Sequence, residues 1–382
     1  MGDGQKIDTR LVHAGEPIPR PMGAVTMPIF QSATYEYGGE GDYDALRYLR
    51  LNNTPNHAAL HTKLAALENA EAALVSGSGM AAITTALLAT LSPGDHLLAQ
   101  RTLYGGTHDF VTQTLARLGV TCTFVDGNDP SSWEAAVTPS TRAFYVESMT
   151  NPLLEVADLR SAAAFARDRG LVSIVDSTFA PPVVFRPIEL GFDLVVHSAT
   201  KYLNGHSDIT AGVVAGAAER VEETRKLLNH LGGTLDPHAC FLLQRGLKTL
   251  GVRVRRQCES ALRIATFLSE HPSVERVSYP GLPAHPNHAR AEALFEGFGS
   301  MLSFELRGGA DAAKRVSEAT ALFINAPSLG GAESLITLPA QTSHVGLEPA
   351  VRRELGIADG LVRLSVGLED VDDLIADLDA VL

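Results

Sequence analysis

Ala143-Phe-Tyr-Val-Glu147, Leu159-Arg-Ser-Ala-Ala-Ala-Phe-Ala-Arg-Asp-Arg169 and Val172-Ser-Ile-Val-Asp176 follow one another in the middle of the chain. Two apolar runs of strand length flank a segment of helix length. That order is the strand–helix–strand rhythm of a parallel sheet covered on both faces. The rhythm extends outward in both directions. Upstream, Ala58–Asn69 reads as a helix with Leu60, Leu64 and Leu67 on one stripe, and Ala72–Ser76 as a strand. Met80–Thr90 (helix), His96–Gln100 (strand), Thr107–Leu118 (helix) and Thr121–Val125 (strand) continue it, and Leu194–Ser198 adds a strand downstream. The pattern predicts an α/β fold with a doubly wound, mostly parallel sheet.

The flanks differ from this centre. Residues 1–50 are rich in Pro and Gly and carry little periodicity, as in an extended arm that lies on another surface. Beyond about residue 240 a long helical stretch, Gln244–Glu270, precedes strands at Val274–Tyr279, Met301–Leu306 and Val362–Val366. The expected organisation is an arm over 1–50, an α/β domain over 51–240 and a smaller α+β domain with an antiparallel sheet over 241–382.

The 382 residues are enough for two domains with a large core, and 45% apolar with 20% charged residues suits a globular chain. A net charge of −13 argues against nucleic acid as a partner, because a phosphate backbone needs a basic surface. Cys122, Cys240 and Cys258 lie far apart without paired metal spacing, which fits a reducing compartment. No apolar run approaches the roughly 18 residues of a membrane span, and the first residues lack an apolar signal segment. The expected location is the cytoplasm.

Chemistry is concentrated where the strands end. Val195-Val-His-Ser198-Ala-Thr200-Lys201-Tyr-Leu-Asn-Gly-His206 delivers two hydroxyls and a lysine at a strand terminus. A lysine there, beside groups suited to phosphate, is placed to form a Schiff base with an aldehyde cofactor. Ser76-Gly-Ser-Gly79-Met80 follows a strand and opens a helix, so its backbone can cradle a phosphate. With Ala82 it also fits a dinucleotide fingerprint. That reading needs an acidic residue at the end of the next strand, about 20 positions on. Gln100 and Arg101 stand there instead.

Asp176 ends an apolar strand, where open α/β sheets bind ligands and where a carboxylate could face a protonated pyridine nitrogen. Taken alone it fits a turn or helix cap equally well. Tyr104, in Leu103-Tyr-Gly-Gly-Thr107, could lie over a flat cofactor and exchange a proton, or simply pack in its loop. Arg363 lies inside an apolar strand and needs an anion, either a ligand's or a structural partner's. His57 and His61 stand one helical turn apart without a third ligand, so no metal site is expected. Arg253, Arg255 and Arg256 read as a solvated helix face.

Together these residues resemble the pyridoxal-phosphate (PLP) enzymes of cysteine and methionine metabolism, which include cystathionine γ-lyase, methionine γ-lyase, cystathionine γ-synthase and cystathionine β-lyase. The resemblance runs from Thr9-Arg-Leu-Val-His-Ala-Gly15 through the Lys201 motif to Ser328-Leu-Gly-Gly-Ala-Glu-Ser334 and Arg363-Leu-Ser-Val-Gly-Leu-Glu369. It implies the PLP-dependent fold type I and a homotetramer built as two intimate dimers, with active sites shared across the dimer interface. It implies that Lys201 bonds the cofactor, Asp176 pairs with the ring nitrogen and Tyr104 stacks on the ring. Gly79 and Met80 amides with the Ser198 and Thr200 hydroxyls would hold the phosphate. Tyr48 and Arg50 would reach the phosphate in the neighbouring subunit. Arg363 would clamp the substrate carboxylate with help from Ser328 and Asn151, and Glu333 matches members that process cystathionine.

Two departures stand out. Asn53-Thr-Pro55 replaces the usual Asn-Pro-Thr after Arg50, and Gly106 stands where methionine γ-lyases often carry cysteine. Tyr279-Pro-Gly-Leu-Pro283 resembles cystathionine γ-lyases. The activity implied is γ-elimination from L-methionine or L-cystathionine to 2-oxobutanoate, ammonia and a thiol. The alternative is a γ-replacement transferase acting on an activated homoserine ester.

Overall fold

A computed structural model of the chain describes residues 4–39, 41, 43, 46–345 and 348–382. Seven strands form the larger sheet: β1 (Ala72–Ser76), β2 (His96–Gln100), β3 (Thr121–Val125), β4 (Thr141–Glu147), β5 (Val172–Asp176), β6 (Leu194–Ser198) and β7 (Gly212–Gly216). Their order is β1-β7-β6-β5-β4-β2-β3. Neighbours from β3 to β6 pair in parallel, while β7 pairs antiparallel with both β6 and β1. The parallel reading therefore holds for the centre, and β7 is the reversed strand the sequence pattern did not single out. Gly212-Val-Val-Ala-Gly216 offers only three apolar side chains between glycines, too short a run to stand out.

Alternate residues of these strands feed two separate apolar clusters. Val75, Phe144, Val146, Val175, Val195 and Val213 belong to one, and Leu74, Ala143, Tyr145, Ile174, Val196 and Val214 to the other. Both faces are dry, and this explains why the strands read as continuous apolar runs rather than as alternation. The helices Pro55–Glu68 and Leu159–Arg169 pack on the first cluster and Gly79–Thr90 on the second.

Five further strands, β8 (Val274–Ser278), β9 (Met301–Leu306), β10 (Ile324–Asn325), β11 (Leu335–Thr337) and β12 (Leu361–Ser365), form a second sheet in the order β10-β11-β12-β9-β8. It is antiparallel except for the parallel β10–β11 pair. The helical stretch expected over Gln244–Glu270 is two helices, Pro237–Leu247 and Leu250–Glu270. The expected helix over Thr107–Leu118 begins as Gly105–Asp109 and widens into a π-helical turn over Phe110–Leu115.

The first 50 residues are not extended throughout. Ile7–His13 is a helix that buries Leu11. Lys63 Nζ donates to the carbonyls of Leu11 at 2.9 Å and Val12 at 3.3 Å, and Lys248 pairs with the buried Glu16 at 2.9 Å. The solvated face expected at Arg253 is also corrected. Arg255 and Arg256 are exposed, but Arg253 is buried. Its guanidinium donates to the carbonyls of Tyr202 at 3.0 Å and Gly246 at 2.9 Å, and to Thr249 Oγ1 at 3.1 Å. A buried arginine persists because each of its three guanidinium nitrogens finds an acceptor. Among the described residues, no helix is long and apolar enough to cross a membrane.

Candidate active site

A cavity of about 600 Å³ opens at the carboxyl ends of the parallel strands. Its walls take one or more residues from each of several segments: Ser78, Gly79 and Met80, then Tyr104, then Glu147 and Met149, then Asp176 and Thr178, then Ser198, Thr200 and Lys201. Asn151, Ser328, Thr342, Ser343 and Arg363 close it. Open α/β sheets bind ligands in this place because helix N-termini and loop backbones converge beyond the strand ends.

Lys201 occupies the turn that follows β6. Its backbone N–H bonds Ser198 O at 3.1 Å, and Gly205 N–H returns to Lys201 O at 2.7 Å. Gly205 sits at φ +70°, and a Cβ there would come within 1.8 Å of Arg253 Nη1. The buried arginine and the glycine thus fit each other, and together they hold the turn that aims the lysine. Lys201 Nζ donates to Ser328 Oγ at 2.8 Å. Burial, with Arg363 nearby, lowers its pKa to about 8.

Ser328 has φ +90°, a left-handed backbone that costs a non-glycine residue roughly 1–3 kcal/mol. Its carbonyl accepts Arg363 Nη2 at 3.1 Å, while Arg363 Nη1 donates to Asn151 Oδ1 at 2.9 Å. The guanidinium, on β12, is buried, and among the described residues it forms no salt bridge with a carboxylate. Burial lowers its pKa to about 10. Both acceptors are neutral, so they orient the fork in the cavity wall without neutralising it.

Asp176 ends β5, and its Oδ1 accepts the Thr178 N–H at 2.9 Å. Thr178 Oγ1 in turn accepts Ser198 N–H at 2.8 Å, tying the β5 terminus to that of β6. Burial pushes the Asp176 carboxyl up, while the Thr178 donors and His197 act against it. Directly across the β4–β5 register from Asp176 stands Glu147, also buried. Burial, with Asp176 beside it, drives the Glu147 carboxyl well above the usual range. Glu147 Oε1 accepts the N–H of Tyr104 at 2.6 Å.

The remaining expected phosphate contacts gather around the helix Gly79–Thr90. The Ser78 hydroxyl caps it by accepting Ala81 N–H at 3.1 Å, which leaves the first-turn amides of Gly79 and Met80 without an intrahelical acceptor. A Cβ on Gly79 would lie 2.6 Å from Ser198 Cβ, so only glycine lets helix and strand end approach this closely. The Thr200 hydroxyl is already engaged with Ala211, just before β7, accepting its N–H at 3.0 Å and donating to its carbonyl at 3.3 Å.

Tyr48, Arg50 and Glu333 do not line this cavity. Arg50 donates to Asn229 O at 3.1 Å and to the Tyr43 hydroxyl, with its guanidinium 5.4 Å from the Tyr48 ring. Glu333 is exposed and accepts the Ser207 hydroxyl at 3.5 Å. His57 and His61 serve the fold: His57 bonds Thr54 Oγ1 at 2.7 Å and Leu235 O at 2.8 Å, and His61 Nε2 accepts Val75 N–H at 3.1 Å.

Sequence reasoning passed over Glu147, Thr178, Thr342 and Ser343. For Glu147 the signal was present, since it ends an apolar strand just as Asp176 does. Thr342 and Ser343 lie in an irregular segment with no periodicity to mark them.

The donor set fits pyridoxal phosphate. Free helix amides and a hydroxyl could take its phosphate, a buried carboxyl could face its ring nitrogen, and an amine with a lowered pKa could meet its aldehyde. Residues 8–382 match the family model described as Cys/Met metabolism PLP-dependent enzyme. Cystathionine beta-lyase of Coxiella burnetii is 44% identical over 380 residues, which are 98% of this chain and 97% of the relative. L-methionine gamma-lyase of Pseudomonas putida is 44% identical over 98% of this chain and 96% of the relative. Cystathionine gamma-synthase of Mycobacterium bovis is 43% identical over 98% and 96%. A solved structure, cystathionine gamma-lyase from Lactobacillus plantarum complexed with L-serine, superposes with a TM-score of 0.94 at 39% identity, covering 99% of this chain and 98% of that one. The architecture is that of fold-type-I PLP enzymes.

Proposed function

The chain belongs to the PLP-dependent enzymes of Cys/Met metabolism, and from that premise we propose that it is a carbon–sulfur lyase performing γ-elimination on L-methionine or L-cystathionine. Water enters, and 2-oxobutanoate, ammonia and a thiol leave. The observation that carries this reading is the Lys201–Ser328–Arg363–Asn151 chain of hydrogen bonds, which ties an amine of lowered pKa to an anion clamp within one cavity.

When bound, the cofactor withdraws electron density from the α-carbon of the substrate. Arg363, its fork oriented by Asn151 and Ser328, takes the substrate carboxylate in bidentate fashion and fixes which face meets Lys201. Lys201 Nζ, its pKa lowered to about 8, removes the α-proton. Ser328 Oγ holds that amine on the carboxylate side of the cavity. Asp176 keeps a negative charge facing the ring nitrogen, and the Thr178 donors supply the charge's hydrogen bonds. Tyr104, which also lines the cavity, gives a proton to the departing sulfur. The Gly79 and Met80 amides with the Ser198 hydroxyl would hold the phosphate, Thr200 joining them once its hydroxyl proton turns from Ala211 O, and Tyr48 with Arg50 would reach the phosphate of the neighbouring subunit in a homotetramer.

γ-Replacement on an activated homoserine ester is the second reading, favoured by the 43% identity to a cystathionine gamma-synthase. Product analysis separates them. The purified protein is incubated with L-methionine, with L-cystathionine, and with an O-acylhomoserine plus cysteine. Release of 2-oxobutanoate and thiol from the first two supports the lyase. Cystathionine formed only from the third, or pyruvate with homocysteine from cystathionine, would sink it. Lys201→Ala is the control and is expected to lose turnover and visible cofactor absorbance together.

A further inference from the structure

We propose that Glu147 is the positioning residue that sets Tyr104 against the cofactor ring, coupling that tyrosine to the Asp176 carboxylate through the ends of β4 and β5. The proposal rests on the reading of Tyr104 as the ring-stacking proton donor.

Tyr104 has little else to hold it. Its side chain is 43% exposed, and it caps the short helix Gly105–Asp109 without a side-chain cap bond. Its carbonyl accepts His108 N–H within that helix at 3.0 Å, so this bond moves with the segment. The 2.6 Å bond from Tyr104 N–H to Glu147 Oε1 crosses from the loop after β2 to the sheet. Glu147 is itself rigid. It is 5% exposed, its own N–H donates to Gln100 Oε1 at 2.9 Å, and it is register partner to Asp176. An exposed ring on a short helix therefore takes its position from a buried carboxyl on a central strand.

The charges around Glu147 come from every adjoining element. Asp176 stands on β5 and Tyr145 two residues back on β4, with Lys201 across the cavity and Tyr104 above. Two buried carboxyls at facing register positions cannot both ionise cheaply. Asp176 keeps the partners that favour charge, namely the Thr178 donors and the nearby His197 ring. Glu147 meets one backbone N–H. The division of labour follows: Asp176 carries the charge for the ring nitrogen, and Glu147, holding the proton, remains an acceptor for Tyr104 without adding a second negative charge.

The test begins with cofactor-free protein, by amide hydrogen exchange at Tyr104 read by mass spectrometry with single-residue fragmentation. Glu147→Met fills the volume without an acceptor and is expected to speed exchange there by roughly tenfold or more. Glu147→Gln restores protection because its amide oxygen still accepts. Should the Met variant not fold, Glu147→Asp withdraws the acceptor by one methylene and is expected to speed exchange in the same direction. In the holoenzyme, Glu147→Met lowers kcat more than it raises KM, and on a Tyr104→Ala background it lowers kcat no further. Unchanged exchange at Tyr104, or multiplicative losses in the double variant, would overturn the proposal. Exchange in cofactor-free protein is independent of substrate, so a wild-type protein inactive on all sulfur amino acids would fail the functional reading alone.

Discussion

Ser328 works through two atoms from one strained position: its Oγ accepts Lys201 and its carbonyl accepts Arg363. At φ +90°, glycine would relieve the backbone while deleting the hydroxyl. Ser328→Gly is expected to be as stable as wild type or up to about 1 kcal/mol more so in denaturant unfolding, and to lose about tenfold or more in kcat/KM. A clear loss of stability would show that the left-handed conformation is not strained here. Lys201 makes a related prediction about pH. Its folded pKa of about 8 lies below the 10.5 of a free lysine. Between those values the unfolded chain binds more protons, so its contribution to stability rises as pH increases from about 8 to about 10.5. Comparing cofactor-free wild type with Lys201→Met should show the wild type gaining over that window. Below it, the Met variant is expected to be more stable by about 1–2 kcal/mol. A flat difference curve would contradict the buried amine.

At the scale of elements, the turn after β6 and the helix Leu250–Glu270 form one unit. Arg253 on that helix donates into Tyr202 O, one residue past Lys201, and occupies the space left by the missing Cβ of Gly205. Arg253→Met would strand the carbonyl of Tyr202, while Gly246 O keeps the Thr249 donors, and is expected to cost about 1–3 kcal/mol. Denaturant midpoints measure the cost, and visible circular dichroism of the bound cofactor reports whether the lysine turn moves. A change under about 0.5 kcal/mol would mean the turn holds without it. The sequence reading of Arg253 as solvated failed for an identifiable reason. Arg255 and Arg256 are exposed and sit beside it, but a helix rotates about 100° per residue, and its buried neighbours Val254 and Gln257 lie on the same side.

Across the whole molecule, Tyr48 and Arg50 stand outside the cavity of their own chain, and Ile18, Met22 and Val25 expose apolar side chains nearby in sequence. The proposed assembly makes those features complementary to a second copy. Arg50→Ala is expected to weaken cofactor binding, and Lys201→Ala to abolish activity. Random reassociation of equal amounts then yields hybrids with one intact site, restoring about a quarter of wild-type activity. No recovery, with hybrids demonstrated by mass, would place Arg50 in the service of its own subunit.

Much of this protein was legible in one dimension. The strand–helix alternation, the lysine and carboxylate at strand ends and the glycine-opened helix are local patterns, because periodicity and strand termini are properties of a single element. Even the unremarked Glu147 carried the same mark as Asp176. What local pattern could not supply is the pairing of distant parts. Lys201 and Ser328 are 127 residues apart, and Asn151 and Arg363 are 212 apart, yet each pair shares a hydrogen bond. The burial of Arg253, the strain at Ser328 and the tie from Glu147 to Tyr104 likewise exist only once strands stand in register and helices pack. Sequence determined which chemistry this chain carries and at which ends of its elements. Tertiary structure alone decided which of those groups meet and how deeply each is buried, because distance and packing exist only once the chain is folded.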